Sequence, residues 1–373
     1  MSPSGEAAAA EGMPAASPGE ALSSVDLESS LEAESLAIAV PDGTRCMDVP
    51  AALGALAERF GGMPGTVVVG LGLHRPMTDD ELIDVRAASP WPVVNHDPDA
   101  CTDLGEVGGH PALVHSALAE APLVIAVGVV ELHQYAGFSG GHKAVAVGCG
   151  GRETLASLHA RALVCHADVQ VGRLSGNPFR DAVDALGERS GCNLALQALP
   201  DGRWVAGEPR AALRAAAEAL SPWEIVEAPS RSVILRVPGA KAVNFYQASR
   251  AATYLALSPR PPLTDGARLV LDAECSEGAG YGDGERAFAQ LMASEEPPWD
   301  TLLTGEAKKG AGLQRAYMIA RLAARYELVV AGCSKPEALH AMGLEATSMS
   351  AERVAGTGAL EVPAPFTRLP QLA

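Results

Sequence analysis

Eight of the nine histidines in this 373-residue chain fall between positions 74 and 166: His74, His96, His110, His115, His133, His142, His159 and His166. Imidazole ordinarily titrates near neutrality, so this concentration points to proton transfer or metal ligation. His74 follows the apolar run TVVVGLG (66–72), and His133 follows PLVIAVGVV (122–130). Both therefore stand at the ends of predicted strands, where open α/β sheets hold their ligands, and are expected to face one crevice.

Directly after His133 comes QYAGFSGGHKAVAVGCGG. Gly137, Gly140 and Gly141 permit a tight turn whose amides can surround an anion, and Lys143 closes the turn as a cation or a nucleophile. A Walker phosphate loop is excluded. His142 stands where that motif requires glycine, and Ala144 where Ser or Thr would bind magnesium.

The elements that must position these residues are legible as short runs rich in Val and Ile. LAIAV (36–40), 66–72, PVVNH (92–96) and 122–130 read as buried strands. Helical spacing separates them at 49–60, 78–88 and 111–121, with Thr78 or Asp79 able to cap the second helix. Helices continue at 152–165, 178–190 and 208–220, with a hairpin of NLALQAL and RWVAG between the last two. A second series begins near SVILRV (232–237): helix 244–256, strand 267–273, helix 313–325, strand 326–332 and helix 336–342. Alternating strand and helix predict an α/β fold of two domains with largely parallel sheets and an active-site cleft between them. The expected division is an acidic, disordered tail at 1–34, a catalytic and cofactor-binding domain at 35–225, a smaller domain at 226–350, and a segment at 351–373 packing back on the first domain.

Composition narrows the partners. With 45 acidic against 28 basic residues the formal charge is −17, which repels nucleic acid and anionic membrane surfaces. No apolar run approaches the roughly 18 residues needed to cross a bilayer. Seven scattered cysteines without a CxxC pair suggest neither a disulfide framework nor a zinc knuckle, and fit a reducing cytoplasm.

VELHQYAGFSGGHK, followed by His159 sixteen residues after the lysine and then by LSGNP (174–178), resembles the core signature of the nickel-pincer nucleotide-dependent lactate racemase family. PDGTR (41–45), GLHRPMT (72–78), VNHD (94–97), FYQASR (245–250) and AECSEG (273–278) agree in order, so the resemblance covers about residues 36 to 350.

The resemblance implies a nicotinate-derived mononucleotide that grips nickel through two sulfurs and a ring carbon. Lys143 would tether it covalently, and His159 would be the protein's ligand to nickel, a donor set suited to that metal. The implied reaction is racemisation or epimerisation of 2-hydroxy acids. The α-proton beside a carboxylate is a poor acid, so hydride removal coupled to loss of the hydroxyl proton is the easier route, leaving a planar 2-keto acid. His74 and His133 fill the family positions of the two bases.

Asp42 and Asp97 could orient an imidazole or hold the ribose. Thr44, Ser139, Gly140 and Gly141 are candidates for the cofactor phosphate. On the FYQASR helix, Gln247 and Arg250 share a face with Tyr246 beside them and can bind the substrate carboxylate, with Arg45 as a second cation. Lactate racemases typically carry lysine at the position of Arg250, an aromatic residue where GAGLQ (310–314) stands, and arginine in place of His142. Longer or more polar acids than lactate are therefore expected as substrates. Cofactor-biosynthesis proteins are implied as partners. Rival readings are a zinc or manganese hydrolase or lyase using the histidine cluster, and a non-catalytic, degenerate member of the family. No HExxH pattern supports the first, and the retention of Lys143, His159, His74 and His133 counts against the second.

Overall fold

The computed structural model describes residues 14–72, 74–297, 299–306 and 312–373. The chain divides into two compact units: one contains the described part of 1–131 with 138–158 and 180–221, the other 132–137, 159–179 and 222–373. The second unit thus reclaims two short segments from within the stretch expected to form the first domain.

In the first unit the strands are β1 (Leu36–Pro41), β2 (Gly65–Gly70), β3 (Val93–Asn95), the hairpin β4 (Cys101–Val107) and β5 (His110–His115), and β6 (Leu123–Val129). A two-residue pairing of β7 (Leu132–His133) with β8 (Gly137–Phe138) marks the crossing between units, and β9 (Cys192–Ala198) and β10 (Trp204–Gly207) complete the set. The main sheet has the order β10-β9-β6-β1-β2-β3, parallel except for the antiparallel β9–β10 hairpin. Its strands are apolar on both faces because helices cover them. Ile38, Val67, Ile125 and Leu196 pack with Leu53, Leu56 and Phe60 of the helix Val49–Phe60, and each such side chain contributes about 1.5–3 kcal/mol. That helix starts where Asp48 accepts the amide of Ala51 at 2.9 Å.

The strand order reverses around β1, which has β2 on one side and β6 on the other. Asp42, His74 and Glu131 follow the carboxyl ends of these three neighbouring strands. The sheet thus delivers them to the position where doubly wound folds place ligands.

The second unit begins with β11 (Trp223–Val226), β12 (Ser230–Arg236), β13 (Leu263–Asp272), β14 (Glu327–Ala331) and β15 (Glu345–Ala346), and ends with β16 (Leu360–Val362) and β17 (Leu369–Leu372). Its sheet runs β15-β14-β13-β12-β16, all parallel, and β11 pairs separately with β17. Residues 351–373 are therefore built into the second unit's own sheets, which corrects the expectation that they return to the first domain.

Two further expectations are corrected. The tail is structured from residue 14: Ala15 exchanges backbone hydrogen bonds with Trp204 (2.7 and 2.9 Å), and the helix Pro18–Ser23 buries Ala21 and Leu22 completely. Its few apolar side chains find the first core despite acidic surroundings; residues 1–13 lie outside the described residues. The helix expected at 111–121 is a strand to His115 and a short helix, Ser116–Glu120. Gly108 and Gly109 both have positive φ (60° and 83°), the conformation of a tight hairpin turn, and this turn pairs β4 with β5.

The turn after β7 depends on Gly137. Its φ is +74°, and a Cβ there would stand 2.0 Å from the carbonyl oxygen of Arg173. Gly137→Ala is expected to destabilise the chain by roughly 2–4 kcal/mol, read as a lower urea midpoint; an unchanged midpoint would show that the turn adapts freely.

Candidate functional site

In the first unit the centre is Asp42. His74 donates from Nδ1 to Asp42 Oδ2 at 2.7 Å, and the Thr44 amide and hydroxyl both donate to Oδ1 (3.1 and 2.5 Å). Burial alone would raise this carboxyl, but the hydrogen bond and charge of His74, the Thr44 hydroxyl and Arg45 hold it down at about 2. Asp42 is therefore ionised at neutral pH. The His74 side chain is 47% exposed. The GLHRPMT loop is fastened by VNHD: Asn95 accepts from the amide of Met77 and donates to its carbonyl (3.2 and 2.8 Å). Asp97 is exposed and caps the amide of Asp99 instead of meeting His74.

Arg45 lies 3.6 Å from Glu131, whose carbonyl accepts the Ser139 amide at 2.8 Å. The Asp42 cluster and the glycine-rich loop are thus neighbours. The loop itself is internally satisfied. The Ser139 hydroxyl donates to the Val129 carbonyl (2.7 Å) and accepts the Glu131 amide (2.9 Å), and the Gly141 amide donates to Gln197 (3.0 Å). A Cβ on Gly140 would meet Gln197 at 2.3 Å. Ser139, Gly140 and Gly141 are buried, and the donors of Ser139 and Gly141 are committed within the fold. These bonds of Ser139 and Gly141 shape the loop.

His142 is completely buried beneath that loop, its Nδ1 3.1 Å from Asp184. Arg180 joins the same carboxylate at 3.2 Å and donates to the carbonyls of Phe138 (2.6 Å) and Gly140 (3.4 Å). Helix Pro178–Arg189 therefore braces the loop from which half-buried Lys143 enters the turn Ala144–Gly148.

The remaining histidines have structural places. His96 is buried and donates from Nε2 to the Gly150 carbonyl at 3.0 Å, and burial lowers its pKa to about 4. His110 meets Ser157, His115 caps the amide of Ala117, and His166 accepts the amide of Asp168.

In the second unit His133 and His159 share two aromatic neighbours. Tyr135 lies 5.7 Å from the His133 ring and 5.8 Å from that of His159; Phe179 lies 6.4 and 5.7 Å from the same two rings. His133 is 8% exposed, and its Nδ1 accepts the amides of Tyr135 (3.3 Å) and Ala136 (3.1 Å). His159 occupies the break between helices Arg152–Leu158 and Arg161–Val164, where a single helix over 152–165 was expected. Asn177 of LSGNP donates to the carbonyl of Tyr135 at 2.7 Å and so holds the HQY turn.

The helix Phe245–Ala256 carries the three expected carboxylate-binding residues. Arg250 donates to Gln247 Oε1 at 3.0 Å and to the Tyr254 hydroxyl at 2.9 Å, and Tyr246 accepts from Gln314 at 3.1 Å. Asn244 caps the helix. AECSEG also holds its start: the Cys275 and Glu277 amides bind the carbonyls of Ala242 and Val243, and Gly278 accepts the amide of Phe245. Sequence reasoning missed Glu131, Gln134, Thr253 and Arg315. Arg315 among the mostly apolar residues at the start of the LQRAYMIARLA helix was the available signal.

Residues 19–171 match the family model of the lactate racemase N-terminal domain. The curated lactate racemase of Lactiplantibacillus plantarum is 24% identical over 250 residues, covering 63% of this chain and 57% of that protein. That of Thermoanaerobacterium thermosaccharolyticum is 22% identical over 245 residues, covering 62% and 56%. The aligned part thus spans little more than half the length of these relatives. The fold is that of the lactate racemase apoprotein from Thermoanaerobacterium thermosaccharolyticum, with a TM-score of 0.82, 19% identity and coverage of 96% of this chain and 94% of the other. A protein from Thermotoga maritima is similar at a TM-score of 0.73, 15% identity, and 95% and 97% coverage.

Proposed function

We propose that this chain, a member of the lactate racemase family, racemises or epimerises 2-hydroxy acids, with His74 and His133 as its proton-handling groups. The opposite bonding of the two rings carries the reading. His74 gives its Nδ1 proton to ionised Asp42, which leaves Nε2 as a bare acceptor for a substrate hydroxyl proton. His133 accepts two amides at Nδ1, which assigns its own proton to Nε2 and makes it a donor. The hydroxyl proton that His74 takes up leaves it an imidazolium beside Asp42, which can return that proton to the oxygen, and the Nε2–H of His133 would hydrogen-bond that oxygen.

The residues also fit a nickel-pincer nucleotide. Among the described residues no three of His, Cys, Asp and Glu are grouped to hold a metal. Burial pushes the thiols of Cys149, Cys192 and Cys275 up, away from the thiolate a metal would bind. Nickel held here would bring its soft donors with it and ask a single imidazole of the protein, the role we assign to His159. When bound, such a group would supply a hydride-accepting centre for the hydrogen at C2 of the substrate. Lys143 would tether it, Thr44 and Arg45 would meet its polar end, and Tyr246, Gln247 and Arg250 would orient the substrate carboxylate. The zinc or manganese hydrolase reading requires several protein ligands on one ion, and no described trio supplies them. We place the chain in the cytoplasm beside the proteins that make the cofactor, because seven free cysteines suit a reducing compartment. No helix among the described residues is long and apolar enough to cross a membrane.

Protein co-expressed with the cofactor-making enzymes should invert single enantiomers of 2-hydroxy acids while retaining deuterium placed at C2, as followed by chiral chromatography and mass spectrometry. Washout of the label would replace hydride transfer by proton abstraction. Failure of the nickel-loaded protein to invert any such acid would end the reading.

His159→Ala is expected to lose nickel on dialysis, whereas His74→Ala and His133→Ala keep it and lose turnover. Equal nickel loss in all three would erase this division of roles.

A further inference from the structure

Arg315 stands in the first turn of the helix Leu313–Ala323 and is 3% exposed. Its Nη1 donates to Gln134 Oε1 at 3.0 Å and to the Thr253 hydroxyl at 3.2 Å, its guanidinium lies 5.6 Å from the centre of the Tyr246 ring, and its Nε is buried without a partner. All these partners are neutral, and among the described residues no carboxylate pairs with it. The other buried arginine, Arg180, shows the usual arrangement, with Asp184 at 3.2 Å and two carbonyls. Burial lowers the pKa of Arg315, yet a guanidinium does not give up its proton near neutrality. A buried charge without a counter-charge is costly, and a site that keeps one is built to receive an anion.

The position is informative. Tyr246 and Thr253 are seven residues apart on one helix, and Arg250 lies between them on the same strip, so Arg315 spans the turn from which Arg250 projects. Arg250 also acts electrostatically on Arg315. Gln134 directly follows His133, and the Tyr135 hydroxyl donates to the Gln314 carbonyl at 3.4 Å, which ties this corner to the His133 and His159 rings. One carboxylate on Arg250 leaves Arg315 unanswered; a second, taken by its forked N–H groups, balances it.

We propose that Arg315 binds a second carboxylate of the substrate, so that the chain prefers 2-hydroxy dicarboxylates of the malate type over lactate. This rests on the racemase reading above and names its substrate class.

The test uses nickel-loaded protein. The kcat/KM for single enantiomers of malate should exceed that for lactate at least about tenfold, and calorimetry should detect succinate but not butyrate. Arg315→Gln should reduce kcat/KM for malate about 100-fold, mainly through KM, reduce that for lactate far less, and abolish succinate binding, with Arg315→Lys restoring part of it. Lactate as the better substrate of the wild-type protein, or equal losses for both acids in Arg315→Gln, would overturn the proposal while leaving the racemase reading intact. Succinate binding that depends on Arg315, with no acid inverted, would keep the anion site and overturn the racemase. If the glutamine variant fails to fold, the wild-type comparisons of malate with lactate and succinate with butyrate decide alone.

Discussion

Lys143→Ala is expected to abolish covalent cofactor attachment and to reduce turnover by on the order of 10³-fold or more, while the unfolding midpoint stays close to that of the wild type. The loop that presents Lys143 is held by other residues. Ser139 is bonded to the end of β6, Gly141 to Gln197, and His142 and Arg180 to Asp184 beneath. Removing a half-buried amine leaves that framework in place, so a loss of function would report chemistry and not collapse. Intact mass under denaturing conditions separates the cases: the wild-type protein, co-expressed with the cofactor-making enzymes, should carry an adduct and the variant none. A variant that keeps both nickel and turnover would remove the central element of the proposed function.

Asp42→Asn is expected to lower kcat by about 10²- to 10⁴-fold with KM little changed. The amide matches the carboxylate in shape, but it carries no charge to stabilise His74 as the ring takes up a proton. Turned about, its NH₂ would also impose the wrong tautomer on the ring. The carboxyl titrates at about 2 in the folded chain against 3.8 ordinarily. Its pairing therefore stabilises the fold at pH above about 4, and that contribution disappears as pH falls through about 2. The stability difference between wild type and Asp42→Asn should follow the same window in urea titrations. A variant within a few-fold of wild-type kcat would show that His74 works without its aspartate.

Some of this was determined by the sequence alone. Strands buried on both faces must be continuously apolar, so β1, β2, β6 and the parallel strands of the second unit stand out as Val- and Ile-rich runs. A chain passing from such a strand into a turn must place the next residues at its carboxyl end, which is why Asp42 and His74 were identifiable as candidate site residues. Motif order was equally legible, including the FYQASR helix and its arginine.

The tertiary structure decided which polar groups are available. Ser139 and Gly141 are bonded to Val129, Glu131 and Gln197, the last 56 residues away from Gly141, which the loop's own sequence does not reveal. His142 looked like one more member of a reactive cluster and is a buried brace on Asp184, 42 residues further on. The tail's Leu22 has no apolar stripe around it, yet it is wholly buried in the first core. Arg315 acquires its neutral surroundings only when folding brings Gln134 and Thr253 to it. Local runs reveal elements because burial acts on every residue of a strand alike. Whether a hydrogen bond or a charge is spent or left over depends on the partner that meets it, and that partner is brought by a distant part of the chain.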